Sequence, residues 1–131
     1  MTDVTVTKGN VSALSDDDTI RLPAGETLTA GQVVYLNGAN GAKRAAAGAA
    51  ATAKVIGVIV APKDAVVGDV LDVGVQGCLV GGFSGLTPGD LLYLSDTAGV
   101  LSTTAGTKVK SVARVITTTD ILITLEDTDP A

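Results

Sequence analysis

Few residues of this chain could carry out catalysis or bind a metal ion. The 131-residue sequence contains no histidine and a single cysteine, Cys78. General-base catalysis by histidine, the Ser-His-Asp triad and nearly all zinc sites need residues that are missing here. Cys78 lies in the apolar stretch VQGCLVGG, where a buried, inert thiol is expected rather than a nucleophile. We therefore predict no enzymatic activity, no catalytic residue and no cofactor.

Two other segments have residue types found in ligand sites. The consecutive carboxylates Asp16, Asp17 and Asp18 could contribute calcium ligands. They lack the glycine and the distal glutamate of a calcium loop, so a solvated loop or an acidic contact with a partner is favoured. The segment GGFSG (Gly81–Gly85) resembles a phosphate-binding loop, but no Lys-Ser/Thr pair follows it. We predict an exposed connection, in which Phe83 either caps the core or offers an apolar contact to a partner.

The charge of the chain is concentrated at its two ends. The net charge is −5, of which residues 1–20 carry −3 and residues 120–131 carry −4, so that residues 21–119 carry +2. A negative chain is repelled by phosphate backbones and anionic lipids, so we predict no nucleic-acid and no membrane partner. Acidic ends suit contacts with a basic surface. The start MTDVTVTKGN does not resemble a signal peptide, which favours synthesis in the cytoplasm.

The elements that must position any site come from an internal repeat. The stretch LTAGQVVYLNGANG (Leu28–Gly41) matches LTPGDLLYLSDTAG (Leu86–Gly99) without a gap, with Tyr35 and Tyr93 in the same slot. Two further pairs continue the match, namely VIGVIV (55–60) with SVARVI (111–116) and GDVLDVGV (68–75) with TDILITLE (119–126). Each half should therefore contain the same succession of strands and turns.

Alternating apolar residues and flanking turn residues predict strands throughout. We expect an all-β barrel or sandwich of about eight to ten short strands, in which NGANG and SDTAG supply the positive φ angles of hairpin turns. The alanine-rich segment Ala42–Lys54 favours a strand followed by a loop, and a short helical turn near Ala49–Lys54 stays open. The predicted core includes one residue from each of five strands: Leu36, Val58, Val73, Leu94 and Val115.

The order of these motifs resembles a known family. LPAGETLTAGQVVYL, an alanine-rich segment, KVIGVIVAPKDAVVGDVLDVGVQGCL and LTPGDLLYLSDTAGVLSTTAG follow one another as in the small bacteriophage capsid cement or decoration proteins. The similarity covers about Leu22–Leu125. It implies a compact β-barrel, usually homotrimeric, that docks on the outside of the assembled capsid, binds the lattice of the major capsid protein and reinforces it. It implies no catalysis, and it places the protein on the exterior of the virion.

The first twenty residues fall outside this resemblance. We predict an N-terminal arm over residues 1–20 and a single barrel domain over residues 21–131, with the duplicated parts at about 28–75 and 86–126. An exposed strand edge can bind another chain through its backbone.

The segment DVTVT in the arm alternates and is expected to be a strand. It would pair with an exposed edge of a neighbouring subunit or of the capsid. Val4 and Val6 would face one side and Thr5 and Thr7 the other, while the acidic run at residues 16–18 meets basic residues. The alternative is a disordered terminus.

A second function remains open. A trimeric fibre-type or host-recognition module of a phage particle could share this build and present its loop tips to a receptor or glycan. Sugar-binding surfaces commonly use aromatic rings, and this chain has 2% aromatic residues and no tryptophan. The decoration protein is therefore the favoured interpretation.

Overall fold

The computed structural model describes residues 4–6, 11–13, 19–37, 41–49, 51–60 and 64–125. This part of the chain contains thirteen β-strands and one 3-10 turn (Ala51–Ala53). The strands are β1 (Thr5–Val6), β2 (Ser12–Ala13), β3 (Thr19–Pro23), β4 (Val33–Leu36), β5 (Ala42–Arg44), β6 (Val55–Ile59), β7 (Val70–Gly74), β8 (Leu79–Gly81), β9 (Phe83–Ser84), β10 (Leu91–Leu94), β11 (Leu101–Ser102), β12 (Ser111–Val115) and β13 (Asp120–Ile123).

The strands form an antiparallel, sandwich-like arrangement. One sheet has the order β11-β10-β12-β13-β8-β2, a second has the order β3-β7-β6-β4-β5, and β1 pairs with β9. The all-β prediction is confirmed. The predicted strand number is too low, because two-residue strands form in segments that the sequence pattern assigns to an arm and a connection. In the alanine-rich segment, β5 is followed by the 3-10 turn, so both the strand and the short helical turn are present.

The internal repeat reappears as a repeat of sheet topology. Strands β3, β4, β5, β6 and β7 of the first half (residues 19–74) correspond to β8, β10, β11, β12 and β13 of the second half (residues 79–123), and both sets have the same order in their sheets. The β4–β6 pairing has a register shift between Val34 and Tyr35, and the β10–β12 pairing has one between Leu92 and Tyr93. The two bulges thus fall at the same position of the repeat, and the tyrosines are equivalent as predicted.

Two pairs of glycines set the same turns in both halves. Gly31 and Gly89 have φ angles of 87° and 94°, and Gly41 and Gly99 have 84° and 80°. Only glycine adopts such angles without strain. The Gly31 N–H donates to the carbonyl of Ile59 and the Gly89 N–H to that of Val115, each at 2.8 Å. The predicted positive φ angles in NGANG and SDTAG are confirmed at their last glycine.

The two halves pack front to back, so that one face of the second sheet covers the opposite face of the first sheet. We call the face of each sheet that carries Leu28 or its equivalent Leu86 the inner face, and the opposite one the outer face. The inner face of the first half forms a small core that includes Leu28 and Val34. The inner face of the second half forms a large core with Leu86 and Leu92, and the outer face of the first half belongs to this same core. The second half therefore covers the outer face of the first.

The sheet of each half is curled by contacts between its edges. In the first half, a parallel bridge joins Ala24, after β3, to Ala42 in β5. In the second half, β1 pairs with β9, and the Val4 N–H donates to the Leu101 carbonyl at 2.8 Å. The strand β1 thus lies between β9 and β11. The sequence pattern predicts that this strand pairs with a neighbouring subunit or with the capsid, whereas in the described residues it pairs with β9 of its own chain.

Four of the five predicted core residues are buried. Val58, Val73, Leu94 and Val115 are at most 2% exposed, whereas Leu36 is 49% exposed. Leu36 pairs with Ala42 at the end of β4, beyond the small core. Its equivalent, Leu94, pairs with Leu101 and lies within the large core. The prediction for Leu36 is therefore wrong, because equivalent slots are covered by different amounts of protein.

Candidate partner-binding surface

The predicted partner-binding valines, Val4 directly before β1 and Val6 within it, contact the same core, as the alternation of DVTVT predicts. Val4 and Val6 are half-buried and pack against the large core. Their backbone pairs with the same chain, in the register Thr5 with Ser84 and Val6 with Phe83. These residues therefore stabilise the second half through the pairing of β1 with β9 and through their contact with the large core.

Phe83 is buried, with 4% of its surface exposed. The preceding Gly82 has a φ angle of 111°, and a Cβ atom there would lie 2.6 Å from Cα of Val11. This close approach needs a glycine and lets Phe83 turn into the large core. Phe83 therefore caps the core, which is one of its two predicted roles, and the GGFSG connection is exposed only at Ser84 and Gly85. The contact of Phe83 with a partner stays a prediction.

Val4, Val6 and Phe83 nevertheless meet at one surface cleft. Its volume is about 130 Å³, and its other lining residues are Thr29, Gly31, Gln32, Gly99, Val100 and Leu101. An apolar cavity of about 150 Å³ can hold a benzene-sized molecule. The cleft can therefore receive one apolar side chain of a partner. Sequence reasoning named three of its residues without connecting them and missed the rest, which come from the Thr29–Gln32 turn and the β10–β11 hairpin.

The polar contact at the cleft is internal. The Gln32 Oε1 atom accepts a hydrogen bond from the Thr29 N–H at 2.9 Å. This bond holds the turn that ends at Gln32. A partner side chain entering the cleft would therefore be recognised by shape and apolar contact.

The three predicted acidic contact residues, Asp16, Asp17 and Asp18, lie outside the described residues, between β2 and β3. Their contact with a partner therefore stays a prediction.

Two aspartates hold loops of the described structure together. Asp69 accepts a hydrogen bond from the Val66 N–H at 3.1 Å, and Asp96 accepts from the Thr107 N–H and hydroxyl at 2.8 and 2.9 Å. The first bond closes the turn at Asp69, and the other two join the loop at Asp96 to Thr107. No group of three or more metal-binding side chains occurs within the described ranges.

One ion pair lies where the two halves meet. Glu26 accepts hydrogen bonds from the Arg44 backbone N–H at 2.7 Å and from its guanidinium at 3.4 Å. The Arg44 side chain packs over Gly99, where a Cβ atom would lie 3.1 Å from Cγ of Arg44. Burial acts to raise the pKa of Glu26, but the Arg44 N–H, the guanidinium and the charge of Lys43 outweigh it and hold this pKa below its ordinary value of 4.5. The carboxylate therefore stays ionised and fixes the guanidinium.

A second exposed apolar surface was missed by sequence reasoning. The loop at residues 64–70, which we call the valine loop, exposes Val66, Val67 and Val70 by 60, 68 and 51%. Ala65 within it is 1% exposed and exchanges two backbone hydrogen bonds with Leu28, at 3.0 and 2.8 Å. The loop is thus anchored while its valines face solvent. The signal in the sequence is the run AVVGDV, in which apolar residues flank a turn.

No family model and no curated protein matches the chain. Among the described residues, no helix has the length and apolar character needed to cross a bilayer.

Proposed function

We propose that this chain is a decoration protein of a bacteriophage head. It is made in the host cytoplasm, binds the outer surface of the assembled capsid through the major capsid protein, acts as a homotrimer and stabilises the shell. It performs no catalysis in this role.

The observation that supports this proposal best is that the sequence stretches that carry the family resemblance form the repeated turns and strands of the fold. The repeated stretches GQVVYL (31–36) and GDLLYL (89–94) form the turns at Gly31 and Gly89 and the strands β4 and β10. The stretches VIGVIV (55–60) and GDVLDVGV (68–75) contain β6 and β7. These residues build a duplicated scaffold, so the resemblance rests on residues that determine the fold. A chain of this kind acts through the surfaces that it presents.

Stabilisation of the shell follows from mass action. A ligand that binds only the assembled lattice favours assembly by RT ln(1 + [L]/Kd), which is about 2.7 kcal/mol per site when its concentration is 100 times Kd. A head offers many such sites, and a trimer that holds several subunits multiplies the effect.

Fewer residues of the N-terminal segment remain as candidates for contact with the capsid. Because β1 pairs within its own chain, Val4 and Val6 serve the scaffold. The acidic run of Asp16, Asp17 and Asp18, directly before β3, is the remaining candidate for contact with the capsid. Carboxylates at the exposed edge of an interface raise the rate of association with a basic surface, and salt screens this effect.

Binding to heads that lack the protein tests this proposal. Heads assembled from the major capsid protein of the same phage are mixed with the purified chain, sedimented, and the bound chain is quantified. We expect saturable binding that weakens with salt. The triple variant Asp16→Asn/Asp17→Asn/Asp18→Asn should bind about tenfold or more weakly.

The matched control neutralises Glu126, Asp127 and Asp129, which removes the same charge at the other end of the chain. It should bind like the unmodified chain. Equal weakening of both variants would assign the effect to net charge and overturn the role of the acidic run. The absence of saturable binding by the unmodified chain would overturn the function itself.

A further inference from the structure

The second half presents a broad apolar outer face. Across four adjacent strands, Leu79 pairs with Leu122, Leu122 with Arg114, and Arg114 with Leu91. Directly opposite residues of an antiparallel pair lie on the same face. We call this row, together with Tyr93 in β10 and Ile116 directly after β12, the leucine face.

Its apolar side chains are not used by the cores of the protein. Leu79, Leu91, Tyr93 and Leu122 are only partly buried, and Ile116 is 43% exposed. Neither cluster of buried side chains within the described ranges includes them, nor do they pack against either cluster. A contiguous apolar patch of this kind on a folded protein marks an interaction surface.

The repeat provides a direct comparison for this face. The pair Leu91–Arg114 of the second half corresponds to Val33–Val58 of the first half. Val33 and Val58 are both fully buried, because the second half covers them. The equivalent face of the first half is therefore covered by apolar side chains of this same chain, whereas among the described residues the apolar side chains of the leucine face are only partly covered.

We propose that the valine loop of a second copy of this chain covers the leucine face. The loop offers three exposed valines on a surface anchored by Ala65, and the face offers leucines and a tyrosine. One charge on each surface is complementary to the other, namely Arg114 on the leucine face and Asp69 in the valine loop. Arg114 is exposed and donates to the Gly89 carbonyl at 2.7 Å, while the exposed Asp69 of the loop carries a carboxylate. Tyrosine and arginine within an apolar surface are typical of protein interfaces.

Such a contact joins two different patches. Each copy then has one face and one loop to offer, and a head-to-tail contact of this kind produces either a closed ring or an open chain. The proposed trimer would be such a ring. The inference concerns the chain alone in solution, so its failure would leave the proposed binding to capsids to its own test.

Two variants separate the patches. Val67→Lys disables the loop and Leu122→Lys disables the face, and each is examined by sedimentation velocity at about 10 μM, where micromolar contacts are populated. The unmodified chain should form assemblies larger than a dimer, and each variant alone should associate about tenfold or more weakly. A one-to-one mixture should form dimers and nothing larger, because one intact loop meets one intact face.

Control variants guard against loss of fold. Val109→Lys changes a valine of matching exposure, 61%, that belongs to neither patch, and it should assemble normally. Arg114→Glu changes an exposed side chain and should weaken assembly while leaving the circular dichroism spectrum unchanged. A monomeric unmodified chain, or a Val67→Lys variant that assembles normally, would overturn the proposal. So would a mixture that forms no dimer from two folded variants.

Discussion

Replacing Val4, directly before β1, and Val6, within it, with alanine should destabilise the protein measurably. The strand closes the second half, and Val4 and Val6 are half-buried against the large core. A free arm would carry these side chains without any contribution to folding. The double variant Val4→Ala/Val6→Ala therefore distinguishes a strand that belongs to the scaffold from an arm that is held ready for a partner.

The expected magnitude follows from the buried carbon atoms. Each substitution removes two methyl groups, worth about 0.8 kcal/mol apiece when fully buried. Half-burial reduces the loss to about 0.8 kcal/mol per valine, so the pair should lower the free energy of unfolding by about 1.5 kcal/mol. For a chain of this length, that corresponds to a decrease in Tm of about 4–7 °C.

Thermal unfolding followed by circular dichroism measures this change. The control Val109→Ala alters an exposed valine that belongs to neither the valine loop nor the leucine face, and it should change the free energy of unfolding by less than about 0.5 kcal/mol. The decrease in Tm should be the same over a tenfold range of protein concentration, because β1 pairs within one chain. An unchanged Tm in the β1 variant would refute the assignment of this strand to the scaffold.

The repeat and its charges lead to three more predictions. Gly31→Ala and Gly89→Ala should each lower the free energy of unfolding by about 1–2 kcal/mol, because alanine disfavours their positive φ angles. Chemical denaturation should show the larger loss for Gly31→Ala, because a Cβ atom at Gly31 would lie 2.5 Å from the Val6 side chain, whereas a Cβ atom at Gly89 would meet open space. Leu94→Ala should lower the free energy of unfolding by about 2–5 kcal/mol. Leu36 is 49% exposed, so Leu36→Ala should lower it by less than about 1 kcal/mol. Equal losses would contradict the burial pattern. The pKa of Glu26 is lower in the folded chain than its ordinary 4.5, so its contribution is present above that pH and is lost as the pH falls below it. Urea titrations should therefore show Glu26→Gln less stable than the unmodified chain at neutral pH, with the difference shrinking in acid.

The repeated stretch that begins at Leu28 and again at Leu86 predicted much of the fold. Because identical residues occupy both copies of the turn and the first strand, it located the paired glycines and the equivalent tyrosines. The match of the last strand was less accurate. Val73 pairs with Ile59 as Ile121 pairs with Val115, so the fold makes Val73 equivalent to Ile121, whereas the sequence match aligns it with Thr124. Turns of different length shift the register without leaving a clear pattern in the letters.

Other features could not be predicted because they depend on distant pairings. The strands β3 (TIRLP) and β8 (LVG) are equivalent in the sheets yet share no evident sequence pattern. Strand β3 also begins at Thr19, so it spans the arm boundary drawn at residue 20. The cleft beside β1 draws on segments between Val4 and Leu101 that only folding brings together. The burial of Leu94 and the exposure of Leu36 likewise depend on what covers each face, which no local pattern records.

The stability of phage heads with and without this chain tests the central claim most directly. Heads that lack the protein are measured by scanning calorimetry before and after saturation with the purified chain, and release of packaged DNA on heating is followed in parallel. We expect saturation to raise the temperature of shell disruption and of DNA release, in proportion to occupancy. Saturated heads that melt and release DNA at the same temperatures as bare heads would contradict the role of this chain as a capsid-stabilising decoration protein.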